Sequence, residues 1–115
     1  MSDYDLVVRN GTVATAADVF RADIGVSDGR IATIGAKLGR GRREIDAQGK
    51  IVTPGGVDSH CHIAQRSSLG VMTADDFFTA TRSAACGGTT TVIPFAAQYR
   101  GMSLRQVVKD YHASA

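Results

Sequence analysis

Residues 51–112 alternate between two kinds of pattern, and this alternation constrains the fold more than any other feature of the chain. Ile51 to His60 reads as a strand, and Ile63 to Met72 as a loop holding Ser67, Ser68 and Gly70. A helix is expected to start with Thr73 as N-cap and Asp76 three residues on as its capping partner, with Asp75 favourable near the positive helix end. Phe77, Ala80, Thr81 and Ala84 fall on one face, and Gly87-Gly88 ends the helix. Thr89 to Phe95 is β-branched and apolar, which predicts a buried strand. Ser103 then caps a second helix, with Gln106 completing a capping box, and Leu104, Val107, Val108 and Tyr111 recur at i, i+3, i+4 and i+7. Strand, helix, strand, helix is the pattern of a parallel α/β fold. Phe77, Phe78 and Phe95 are its core candidates.

The first fifty residues read differently, as a small antiparallel β unit. Asp5 to Arg9 is a strand with Leu6 and Val8 on one face. Asn10-Gly11 is a turn signal, and Thr12 to Ala14 starts a short second strand. Asp23 to Ser27 and Arg30 to Ile34 flank Asp28-Gly29, whose residues suit a type I′ turn because both central positions need positive φ. A two-residue loop there sets Val26 opposite Ile31. Gly35 to Arg43 reads as a loop and Glu44 to Asp46 as a short strand.

Between these halves lies Pro54-Gly55-Gly56-Val57-Asp58-Ser59-His60-Cys61-His62. Side chains at i and i+2 of an extended strand share a face, so His60 and His62 project together and Cys61 projects away. Neutral imidazoles so placed can bind one divalent ion of the zinc type. Asp58 shares their face but lies deeper in the strand, which suits a supporting or backbone-bonding role. Cys61 and Cys86 read as packed thiols. Gln65, Leu69 and Met72 lie in the loop that leaves the histidine strand, where side chains can reach a substrate.

The formal net charge of +2 and the lack of an aromatic array argue against a nucleic-acid partner. No run approaches the roughly 20 apolar residues that span a bilayer, and the acidic start is unlike a signal peptide. Two cysteines on different elements make no disulfide framework, so a cytoplasmic setting is expected.

The motif at 54–62 resembles the metal-binding signature of the amidohydrolase superfamily. Thr-Ala-Asp-Asp-Phe at 73–77, Gly-Gly-Thr-Thr-Thr-Val-Ile-Pro-Phe at 87–95 and Tyr-Asp-Leu-Val-Val-Arg-Asn-Gly-Thr-Val at 4–13 are similar to the cyclic amidase branch, the dihydropyrimidinases and hydantoinases. The resemblance covers essentially the whole chain as the N-terminal portion of such a protein. It implies a (β/α)8 barrel of TIM type preceded by a β-sandwich portion, with residues 1–50 belonging to the sandwich and 51–115 supplying the first two βα units. It also implies a homotetramer whose subunits each hold two zinc ions, with His60 and His62 on the more buried one. The implied reaction is the opening of a dihydropyrimidine or hydantoin by attack of metal-bound hydroxide. The family's carboxylated lysine, further histidines and proton-shuttling aspartate come from later strands, so no catalytic residue is expected here and this portion alone is expected to be inactive. The alternatives are an allantoinase or dihydroorotase, or a non-catalytic scaffold that keeps the fold.

Overall fold

The computed structural model describes residues 2–115. The chain divides into two compact units, one running through Pro54 and the other from Gly55 to Ala115. The first holds a five-stranded sheet built around β1 (Tyr4–Ala14). Antiparallel to it lies β2 (Val19–Ser27), which pairs in turn with β3 (Arg30–Gly35). On the other side of β1 run β4 (Gly41–Asp46) and then β5 (Ile51–Val52), both parallel to it.

The sheet is therefore mixed, which corrects the antiparallel reading. Its order is β3-β2-β1-β4. After β3 the chain crosses to the far side of β1 instead of turning back in a hairpin, and a crossing of this kind makes β4 parallel to β1. The hairpin between β2 and β3 follows the expected register. Asp28 and Gly29 have φ of 50° and 71°, and Val26 pairs with Ile31.

Asn10-Gly11 is not a turn between strands. β1 runs straight through it, with Asn10 at φ 60° and the pairing to β2 shifted between Val8 and Gly11. Asn tolerates this left-handed conformation, so an Asn-Gly pair can serve a bulge as well as a hairpin. The bulge is held by side chains. Asn10 N–H donates to Asp23 Oδ1 at 2.9 Å, and its amide donates to Asp46 Oδ1 at 3.0 Å. Val7, fully buried, anchors the core together with Val13, Ile24 and Ala47, while Leu6 and Val8 are only half-buried.

Arg9 ties the crossing segment to the sheet. Its guanidinium donates to both Glu44 oxygens at 2.8 and 2.7 Å, and to the carbonyls of Leu38 and Gly39 at 3.0 Å each. A further contact of 3.4 Å reaches buried Asp23. The Arg9 hydrogen bonds hold the Glu44 carboxyl at about 2, against an ordinary 4.5. The Asn10 backbone N–H chiefly lowers Asp23, and the Asn10 amide chiefly lowers Asp46. Carboxylates depressed in the folded state contribute stability above their unfolded values and lose it as pH falls through the folded ones. Thermal stability of this unit is thus expected to fall as pH drops from about 4.5 toward about 2. In an Arg9→Met variant that acid limb, followed by unfolding curves at successive pH values, is expected to be shallower.

In the second unit, β6 (Gly56–Cys61) and β7 (Thr89–Pro94) form a two-stranded parallel sheet. Between them lies α1 (Phe77–Cys86), and α2 (Leu104–His112) follows β7. The single strand expected over residues 51–60 is thus two strands in two different sheets. Pro54 lies in the break; it lacks an N–H for any ladder and biases Thr53 toward an extended conformation.

Helix α1 begins later than expected, with Asp76 rather than Thr73 as N-cap. Thr79 N–H donates to Asp76 Oδ1 at 2.8 Å, and Asp76 N–H donates to Thr79 Oγ1 at 3.1 Å, so the reciprocal box forms one turn further on. Ser103 caps α2 as expected, accepting from Gln106 N–H at 3.2 Å. The Gln106 side chain instead donates to Asp110 Oδ1 at 2.6 Å, so the second half of that box is missing. Of the α2 stripe only Val107 is buried; Tyr111 is half-buried and donates to the Ile63 carbonyl at 2.6 Å. The β7 strand is not buried in this chain, with Ile93 54% exposed, and Phe78, at 70%, is no core residue.

Candidate metal centre

Strand β6 ends beside the end of β7, and that neighbourhood gathers three rings. Phe95 N–H donates to the Cys61 carbonyl at 2.8 Å, which carries the pairing one step past the end of β7. At the start of the same strand pair the chains come very close. A Cβ on Gly55 would lie 2.0 Å from Thr90 Oγ1 and 2.7 Å from Thr90 Cβ. Rotating the threonine side chain does not relieve the second contact, so Gly55→Ala must move backbone. Its expected cost is about 1–3 kcal/mol of overpacking, measurable by denaturant unfolding of the full-length protein.

His60 and His62 have ring centroids 5.3 Å apart. Phe95 lies against both: it is stacked on His60 at 5.1 Å and 6°, and tilted to His62 at 5.5 Å. Asp58 points its carboxylate at the backbone, accepting from His60 N–H at 3.1 Å. Cys61 is half-buried, and burial, followed by the nearby Asp58 charge, pushes its thiol pKa up.

The donor set suits a divalent ion. With metal–nitrogen bonds of about 2.0–2.1 Å, two imidazoles on one tetrahedral ion place their ring centroids about 5 Å apart. Among the described residues no group of three or more His, Cys, Asp or Glu surrounds such a position. His60 and His62 could thus offer two donors to such an ion, and the described residues complete no closed site around them.

The loop after β6 is more ordered than its composition suggests. Gln65 and Thr73 clasp it: Thr73 N–H donates to the Gln65 carbonyl at 2.8 Å, and Gln65 N–H donates to Thr73 Oγ1 at 2.9 Å. The Thr73 hydroxyl that was expected to cap α1 is used here instead. Arg66 and Met72 form a bridge, closed at the tip by Gly70 N–H to the Ser67 carbonyl at 2.9 Å. Leu69 sits in this tip and is 88% exposed. Gln65 and Met72 line one shallow cleft with Arg66, Tyr99 and Tyr111, and Leu69 is not among its walls.

Gln65 also reaches the histidines, with Oε1 2.5 Å from His62 Nδ1 and its amide nitrogen on the Phe95 carbonyl. From the sequence alone, Phe95 is a core residue and Gln65 belongs to the substrate loop. The signal that could have found Phe95 lies in the strand–helix–strand pattern, since parallel pairing sets the residue following β7 beside the end of β6.

No family model matches the chain. Individual relatives do. A D-hydantoinase of Ralstonia pickettii is 47% identical over 111 residues, covering 96% of this chain and 24% of that protein. An allantoinase of Escherichia coli is 44% identical over 90 residues, 78% of this chain and 19% of its own length. A solved D-hydantoinase structure superposes with a TM-score of 0.88 at 47% identity, covering 96% of this chain and 24% of that one. The L-hydantoinase (dihydropyrimidinase) from Arthrobacter aurescens gives a TM-score of 0.76 at 32% identity, covering 96% of this chain and 25% of its own. The chain spans about a quarter of the length of these hydantoinases. No helix among the described residues is long and apolar enough to cross a membrane. Mixed sheets, few helices and this similarity over nearly all of its length are consistent with the cyclic amidase branch of the amidohydrolase superfamily.

Proposed function

We propose that the complete protein hydrolyses a five- or six-membered cyclic amide or imide of the hydantoin or dihydropyrimidine type. In this reading the unit that runs through Pro54 belongs to a β-sandwich portion, Ile51 and Val52 included, and the unit from Gly55 to Ala115 opens a (β/α)8 barrel. The observation that carries it is the imidazole pair at the end of β6, rings 5.3 Å apart, in a chain 47% identical to a D-hydantoinase. Strand ends of this kind are where barrel enzymes place their chemistry. A homo-oligomer and two zinc ions per subunit complete the reading and rest on the family resemblance; a cytoplasmic setting rests on two cysteines that make no disulfide framework.

His60 and His62 would hold one of the two ions. Such an ion polarises a carbonyl and brings the pKa of a bound water to about 7. The remaining work falls to the chain. Asp58 fixes the backbone at His60, and the Phe95 ring packs against His60 and so limits its rotation. The test is turnover of hydantoin, dihydrouracil and allantoin by the full-length protein. Ring opening that stops on chelation and returns with zinc is expected. A protein that binds metal and opens none of these rings contradicts the reading.

The loop after β6 is expected to set ring preference. Met72 lines the cleft beside Gln65, and Leu69 crowns the exposed tip. Met72→Ala or Leu69→Ala in the full-length protein is expected to change kcat/KM between bulky and small ring substituents by about 10-fold, the scale of adding or removing one methylene in an apolar pocket. Metal content, measured on the same samples, should stay as it was.

A further inference from the structure

We infer that Gln65 is a positioning residue that sets which nitrogen of His62 is free to bind a cation. The Phe95 carbonyl can only accept a hydrogen bond. The Gln65 amide nitrogen faces it, so the amide orientation is decided by its partner. Its Oε1 then faces His62 Nδ1 at 2.5 Å. That oxygen also only accepts, so Nδ1 carries the proton. A neutral imidazole has one N–H, so Nε2 keeps its lone pair.

Both ends of this relay are braced. The Gln65 backbone is held by Thr73 in two hydrogen bonds, of 2.8 and 2.9 Å. Phe95 is held by its N–H on the Cys61 carbonyl, and its ring stacks on His60. The end of β7 thus governs both histidines, His60 through a ring face and His62 through an amide. Fixing the tautomer before a cation arrives removes a reorganisation that binding otherwise costs.

The inference rests on the metal reading of the histidine pair, and its test separates the two. Ring nitrogens of the histidines are observed by 15N NMR in the metal-free, full-length protein, at a pH where His62 is neutral. Zinc is then titrated in. His62 is expected as the Nδ1–H form. In Gln65→Leu the two tautomers are expected to mix and zinc to bind about 10–100-fold more weakly, the usual effect of losing a ligand's hydrogen-bond partner. An Nε2–H His62 in the unsubstituted protein overturns the inference, as does a Gln65→Leu variant with tautomer and zinc affinity unchanged. An Nδ1–H His62 that binds no zinc upholds the role of Gln65 and overturns the metal centre.

Discussion

Replacing His60 or His62 with alanine in the full-length protein is expected to abolish both metal retention at this position and ring opening. Each substitution removes half of the proposed ligand pair, whose rings sit 5.3 Å apart. Among the described residues no third His, Cys, Asp or Glu stands close enough to take over. The loss should exceed the roughly 10–100-fold that follows removal of an outer hydrogen-bond partner, because a donor itself is gone. Cys61→Ser is the control. By strand alternation its thiol projects away from the two histidines, so serine should leave the metal in place. Metal analysis and turnover on the three variants decide the matter, and a His60→Ala or His62→Ala protein with full metal and full rate refutes the assignment.

Expressed alone, the 115-residue polypeptide is expected to show no turnover and no sharp unfolding transition. Its second unit rests on two strands, with Ile63 and Val107 as its buried apolar side chains. A two-stranded sheet is marginal in water without a covered face. Val57, Ile93, Phe95, Leu104 and Val108 are all exposed, and β6 and β7 each have one partner strand. Apolar surface beside open strand edges favours self-association or docking onto further chain. Two imidazoles also leave half of a tetrahedral ion's ligands to water, so zinc should bind at well below one per chain. Light scattering, thermal unfolding, zinc analysis and hydantoin hydrolysis on this polypeptide check the expectation. A monomer that melts cooperatively with one zinc and measurable turnover contradicts it.

The parts legible in the sequence were those whose cause is local. Asp28-Gly29 dictates its own turn, and the register that brings Val26 to Ile31 follows. The parallel pairing of β6 with β7 follows from an intervening helix. Where one local signal admits two structures, the sequence does not choose between them. Asn10-Gly11 suits a hairpin and a bulge alike, and Asp23 and Asp46, both distant in sequence, decide for the bulge. Thr73 and Asp76 are both good N-caps; the clasp of Thr73 on Gln65 leaves the helix to Asp76. Strand direction was hidden for a similar reason. Nothing near Gly35 announces that the chain crosses the sheet, and the Arg9 bonds that hold the crossing are made from a strand far back in sequence. At the site, the alternation rule placed the two histidines but said nothing of what braces them. Phe95 and Gln65 reach them from a second strand and a loop clasp.

The most direct test of the metal centre is zinc K-edge X-ray absorption on the full-length protein and on its His60→Ala/His62→Ala double variant. A nitrogen shell at about 2.0–2.1 Å with imidazole outer-shell scattering is expected in the unsubstituted protein. In the double variant, with amplitudes scaled by the zinc content per chain, two imidazoles' worth of that scattering is expected to vanish. An imidazole shell of the same amplitude per chain in both proteins would mean that His60 and His62 hold no zinc.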